Sequence, residues 1–173
     1  NAANWYAHYQ LGISYLIAGR NEDARDEFAR SVDLTSNAWA YHGLACLYLK
    51  SDPEKAKQFI MEGMALQRER LSYQKEGFKI LEKCGAYKEI DEEYKKQTTE
   101  NQKNGRIQYY YVAALEKLER NEEAYHLLND GDGMDVSDIR EGDSDIQSIW
   151  ERLHEKVYGE KGHLPHYYNF KVN

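Results

Sequence analysis

The sequence predicts an all-α fold, a solenoid of helix pairs with a C-terminal capping helix and an extended tail. Two observations carry this expectation. One turn-and-helix segment is written four times, as GRNEDARDEF from Gly19, SDPEKAKQFI from Ser51, GAYKEIDEEY from Gly85 and ERNEEAYHLL from Glu119. The steps between them are 32, 34 and 34 residues, a period that points to stacked supersecondary units. Between the turns, apolar residues recur at helical rather than strand spacing.

The elements follow in order. Residues 1–3 read as a cloning remnant and N-terminal end, so the chain is expected to be an excised piece of a longer protein. Residues 4–129 read as four helix pairs: 4–18 with 21–34, 37–49 with 53–66, 69–83 with 86–101, and 105–118 with 121–129. Asn21, Asp52 and Asn121 suit the caps of the second helices, and Pro53 suits a first helical position. The second helix of the second pair has no breaker in ALQRERL and is expected to run on. Small residues at Gly12 and Gly43, with Ala24 and Ala56 facing them, permit close helix approach, while Phe28, Phe59 and Tyr94 fill the gap toward the next pair. Residues 130–143 form an acidic, glycine-rich loop. In 144–173, Ile146, Ile149, Trp150, Leu153 and Val157 make one helical stripe starting after Asp143 or Ser144, and an aromatic tail follows, expected to pack back.

Set at this period, Leu11-Gly12, Tyr15, Ala24 and Phe28 in the first pair, with Trp39, Gly43 and Ala56 in the second, resemble the tetratricopeptide repeat. The later pairs are looser, with Phe78 and Val112 where the first two carry glycine, and Ile90 and Ala124 at the alanine position. The resemblance implies a right-handed α-α superhelix whose first helices line a concave face. A narrower resemblance lies at the end. Asp138–Trp150, LHEK and LPHYYNFKV are similar to the C-terminus of large bacterial proteins that join such repeats to an N-terminal mutarotase- or glycosidase-like β-sandwich region. Arg140-Glu141-Gly142, Trp150 and Phe170 keep that pattern, whereas Tyr168-Asn169 and Lys171 depart from it. That likeness implies a carbohydrate-related parent, with this chain as an accessory C-terminal module of an enzyme whose catalytic domain lies elsewhere.

Composition narrows the function classes. A net charge of −7 and a pI near 5.4 argue against a nucleic-acid or anionic-membrane surface, because those need clustered Lys and Arg. No apolar run approaches the roughly 20 residues of a membrane span. Cys46 and Cys84 read as buried free thiols, and the cytoplasm is the expected compartment. Asp130, Asp132 and Asp135 invite a calcium loop, but the sixth position is Asp135 where glycine is needed, although Glu141 falls at the twelfth. His163 and His166 lack a third ligand, and no phosphate loop, dinucleotide fingerprint, nucleophile elbow or zinc-protease helix is present. Neither a cofactor nor a catalytic residue is expected.

The informative excess is 15 tyrosines. On the geometry that the repeat resemblance implies, Tyr6, Tyr9, Tyr41, Tyr48, Tyr109 and Tyr110 face the concave side, with Ile13 and Leu44. Tyrosine offers large contact area at low entropic cost and keeps a polar tip. Two readings stand: an aromatic groove for a protein, a peptide or another domain of the same chain, or rings that merely pack between pairs. The carboxylate clamp of chaperone-binding relatives is not reproduced, since its positions hold Tyr9, Ile13, Tyr41, Leu44, Lys75 and Lys79. Self-association through the unlidded first pair is a further expectation.

Overall fold

The computed structural model describes residues 4–131, 133–137, 139 and 145–169. Among them the chain is all-helical: α1 (Asn4–Ile17), α2 (Asn21–Leu34), α3 (Ala38–Tyr48), α4 (Pro53–Leu66), α5 (Leu71–Lys83), α6 (Tyr87–Lys95), α7 (Thr99–Gln102), α8 (Gly105–Lys117), α9 (Asn121–Asn129) and α10 (Ile146–Tyr158), then a 3-10 turn at His166–Tyr168. The chain divides into two compact units, Asn1–Ala86 and Tyr87–Asn173, and the division falls between α5 and α6. Neighbouring helices pack on one another within each unit. Asp132, Arg140, Glu141, Gly142, Asp143, Ser144, Phe170 and Lys171 lie outside the described residues.

The recurring turn is a helix C-cap. After α1, Gly19 takes φ 74° in the left-handed region; its N–H donates to Leu16 and that of Arg20 donates to Tyr15. Gly85 (φ 67°) repeats both bonds after α5, to Glu82 and Leu81. These paired bonds satisfy the last carbonyls of the helix. After α8 the same two bonds form, but Glu119 occupies the left-handed position at φ 61°. A side chain there costs about 1–2 kcal/mol, partly offset by glycine's larger entropy loss. Glu119→Gly is therefore expected to stabilise the second unit by about 0.5–1 kcal/mol, read as a rise in the urea midpoint. The turn at Ser51 differs: Ser51 and Asp52 N–H both donate to Tyr48, one residue later in register.

Helix starts refine the sequence expectation. Asp52 caps α4, accepting from Lys55 N–H at 3.1 Å, with Pro53 first in the helix. Asn21 and Asn121 are not caps but first helical residues; Arg20 and Arg120 precede them without side-chain capping, each instead pairing with an acid three residues on, Asp23 or Glu123. Asp145 caps α10 through Ser148 N–H at 3.3 Å. The helix expected to run on past Leu66 stops there, because buried Gln74 donates its amide to the carbonyls of Met64 (3.0 Å) and Gln67 (2.7 Å). The helix expected over 86–101 is broken after Lys95, and Thr98 restarts it by accepting from Asn101 N–H at 3.1 Å.

The core of the first unit is built on a ring between two glycines. Phe28 of α2 is fully buried, and a Cβ placed at Gly12 of α1 or Gly43 of α3 would stand 2.7 Å from it. Both glycines therefore exist to admit one aromatic ring, which ties α1, α2 and α3 together with Ala24, Ala40 and Leu44. In α4 the residue at the matching offset from Ala56 is Ile60, fully buried, and not Phe59, which is half-buried beside Tyr41 and Tyr48. The glycine counterpart in α5 is Gly77, set against the Met64 thioether, rather than Phe78. Phe78 and Val112 are core residues.

In the second unit that position, Tyr111 of α8, carries a ring instead of a gap, stacked flat on Tyr94 of α6 at 3.8 Å. Glu116 of α8 is 7% exposed and receives a bidentate Arg152 fork (2.9 and 2.8 Å) and the Lys156 ammonium (3.0 Å), both from α10. The Arg152 hydrogen bonds come first among the causes that hold its carboxyl below the ordinary range, with burial opposing them. A carboxyl depressed on folding stabilises above its unfolded value of about 4.3, and that contribution is lost as pH falls through the lower folded value. Denaturation midpoints of the second unit should therefore drop across that acid window. In Glu116→Gln this part of the pH slope should vanish.

Candidate functional site

Of the six candidate tyrosines, Tyr6, Tyr9, Tyr41 and Tyr48 belong to the first unit and Tyr109 and Tyr110 to the second. In the first unit, α1 (NWYAHYQLGISYLI) carries no acidic or basic residue except His8, and α3 (AWAYHGLACLY) none except His42. Tyr6 on α1 is 53% exposed, held by a 2.7 Å hydrogen bond from the Gln10 amide and by Trp5 at 5.6 Å, edge to face. Tyr9 lies 6.1 Å from Tyr6 and 6.0 Å from Phe28, so it bridges surface and core. Burial, and then the neighbouring Tyr6, raise its phenol pKa.

On α3, Tyr41 and Tyr48 share Phe59 as ring neighbour, at 6.2 and 5.7 Å. Tyr48 also carries the Arg25 guanidinium at 5.5 Å and the Lys55 ammonium at 5.2 Å over its ring, so much of its surface is already used. Tyr9 and Tyr48 both pack, half-buried, at the margin of the Phe28 cluster. In the second unit Tyr109 and Tyr110 meet edge to face at 5.5 Å on α8, and Tyr110 is buried. In the first unit the accessible aromatic surface is therefore Tyr6 above all, then the exposed parts of Tyr9, Tyr41 and Tyr48; in the second it is the exposed part of Tyr109.

Other large apolar side chains of the first unit are exposed as well. Trp39 on α3 is 41% exposed with the Arg70 guanidinium 5.8 Å over it, and Ile17 at the end of α1 is 83% exposed. Trp39 entered only as a repeat marker; that it stays 41% exposed between the buried Ala38 and Ala40 is something a periodicity pattern alone does not resolve.

Cys46 is exposed rather than buried, with its sulfur 3.7 Å from the His42 Nε2, because it stands one turn along the same helix face; Cys84 is half-buried. Of the two lysines at clamp positions, Lys79 lies 3.8 Å from Glu76, which also faces His42 at 4.0 Å. Among the described residues no group of three His, Cys, Asp or Glu side chains could hold a metal ion, and no helix is long and apolar enough to cross a membrane.

The arrangement offers apolar area edged by phenol and indole tips. It is suited to contact, with hydrogen bonds at its rim; α1 carries no Asp, Glu, Lys or Arg, and its His8 is bonded to Glu27 at 2.5 Å. No family model matches the sequence, and no curated protein matches it.

Proposed function

We propose that the chain is a tetratricopeptide-like interaction module that performs no catalysis of its own. Its tyrosine-rich first helices hold a protein, a peptide or another domain of the same chain. The observation that carries this reading is the state of α1. A helix apolar on every side belongs in an interior. In α1 only Gly12 is buried, while Tyr6, Leu11, Leu16 and Ile17 are exposed. Such a helix is consistent with a surface that a partner completes, and exposed aromatic anchors are the residue type that dominates binding energy. Two unpaired cysteines suit a reducing compartment, which supports a cytoplasmic and, with the repeat ending, bacterial setting.

The parts of the carbohydrate-related ending that are described have internal duties. The Trp150 indole donates to Asn129 at 2.8 Å, and Tyr168 is fully buried, so neither residue adds a sugar-binding surface to this reading.

The test is a comparison of baits. Wild-type chain and a Tyr6→Ala/Tyr41→Ala chain of equal far-UV helicity are each used to capture protein from extract of the source cells. Each alanine at an anchor is expected to cost about 1–2 kcal/mol, so the double variant should retain a few per cent of the capture. Undiminished capture would remove the aromatic-face reading.

A further inference from the structure

Helix α3 sets a thiol and an imidazole side by side. His42 and Cys46 stand four residues apart, about one turn, so they project from the same face of the helix. Cys46 is exposed and His42 half-buried, and both belong to the first unit. The Cys46 sulfur lies 3.7 Å from His42 Nε2 and 4.0 Å from Nδ1, so the imidazole turns its nitrogen-bearing edge toward it. A thiol is a weak hydrogen-bonding group, and this contact leaves the sulfur open to solvent.

The pair is positioned from two sides. Gly43, next to His42, is buried against the Phe28 ring, which sets the rotation of α3. Tyr73 of α5 meets the imidazole edge to face at 6.2 Å, and its hydroxyl donates to the Ala38 carbonyl at 2.6 Å. Glu76 of α5 brings a carboxylate oxygen 4.0 Å from His42 Nε2, and Lys79 lies 3.8 Å from that carboxylate. Glu76 is the negative charge acting on the thiol, and Lys79 and Lys83 of α5 are the positive ones.

Two donors at this separation match the bite of one ion. Zinc binds a thiolate at about 2.3 Å and an imidazole nitrogen at about 2.0 Å, which at a tetrahedral angle puts the two ligand atoms about 3.6 Å apart. A His–Cys pair one turn apart closes on such an ion with a small turn of the ring, as paired histidines at the same spacing do on zinc-binding helices. The metal takes the place of the thiol proton, which leaves to solvent. The zinc–thiolate unit then carries one net positive charge, and the Glu76 carboxylate offsets it.

We infer that His42 and Cys46 form a two-point chelating site for zinc on the solvent side of α3, with water in the remaining positions. Among the described residues no third His, Cys, Asp or Glu completes the set, so the ion is exchangeable rather than a structural staple.

Cobalt(II) titration tests the site, because a thiolate bound to cobalt gives a charge-transfer band. The reduced full chain is titrated with Co2+ without oxygen, and Zn2+ is then added to displace it. One equivalent is expected, with a zinc Kd on the order of micromolar. Cys46→Ser should abolish the band, and Cys84→Ser should leave it intact. His42→Gln should weaken zinc by about tenfold or more at unchanged far-UV helicity, since one tethered ligand is gone. A band that survives Cys46→Ser overturns the inference, and so does the absence of zinc binding at about 0.1 mM, roughly a hundred times that Kd. Equal zinc affinity in wild type and His42→Gln also overturns it, because the site is then a lone thiol. If a substitution costs helicity, the wild-type chain decides. The ring resonances of His42, one of six histidines, should shift with the first equivalent of Zn2+, and unshifted resonances overturn the site.

Discussion

Tyr168→Ala is expected to lower the stability of the second unit by about 3–5 kcal/mol, the cost typical of removing a fully buried aromatic ring. The loss has two parts that separate experimentally. Tyr168→Phe keeps the ring and leaves the Leu128 carbonyl and Met134 N–H unpaired, so it should cost about 1–3 kcal/mol on its own. Urea denaturation followed by fluorescence in a Trp5→Phe/Trp39→Phe background, where Trp150 is the reporter, with hydrogen exchange at Met134, distinguishes them. The phenylalanine variant should lose protection at that amide while keeping most of the midpoint. The phenol also titrates unusually: burial pushes it up to about 12, with the Met134 N–H bond working in the other direction. A group whose proton is held more tightly when folded stabilises below its unfolded value of about 10, and that contribution fades as pH rises toward 12. Alkaline unfolding of the second unit should therefore be blunted in Tyr168→Phe.

The second large effect belongs to the first unit. Phe28→Ala should cost about 3–5 kcal/mol, because no neighbour can fill a hole walled by two glycines. The reverse change makes a sharper check. Gly43→Ala places a methyl 2.7 Å from the Phe28 ring and should itself cost about 1–3 kcal/mol. Adding Phe28→Leu should recover part of that loss, although Phe28→Leu alone is destabilising. A double-mutant cycle with coupling of about 1 kcal/mol or more would establish that the ring and the glycine are one packing unit. Additive losses would show that the close approach relaxes without it.

How far the sequence carried the fold depended on how local the cause was. α2 and α9 begin where the repeated turn places them, since a left-handed residue and the bonds around it lie within a few positions, and α4 begins after its own capping residue, Asp52. The end of α4 was invisible because the group that stops it, Gln74, lies seven to ten residues further on and reads as an ordinary polar residue of the next helix. Phe59 rather than Ile60 looked like the wedge because one extra residue before Ser51 shifts the second pair's register. Tyr168 could not be assigned from the tail at all; its partners Leu128 and Met134 stand 40 and 34 residues away. For the candidate site, the residue type was legible and the exposure was not. Tyr6 and Tyr110 look alike in a helical register, yet one stands 53% exposed and the other 7%.

Phe28 has a bearing on how a chain of this kind could lengthen. Because one ring closes the α1–α2 pair and also seats α3, the heritable block is not the hairpin bounded by its loops. It is the junction, a wedge on one second helix and a glycine on the following first helix. A duplicated stretch inserted between Leu34 and Ala38 would survive only if its first helix brought a glycine for Phe28 and its second a wedge for Gly43. An insertion point within the Gly19 turn asks for no such matching, since nothing stands within 4 Å of that glycine's missing side chain. Growth by duplication is thus constrained at the seams between pairs and permissive at the bends inside them.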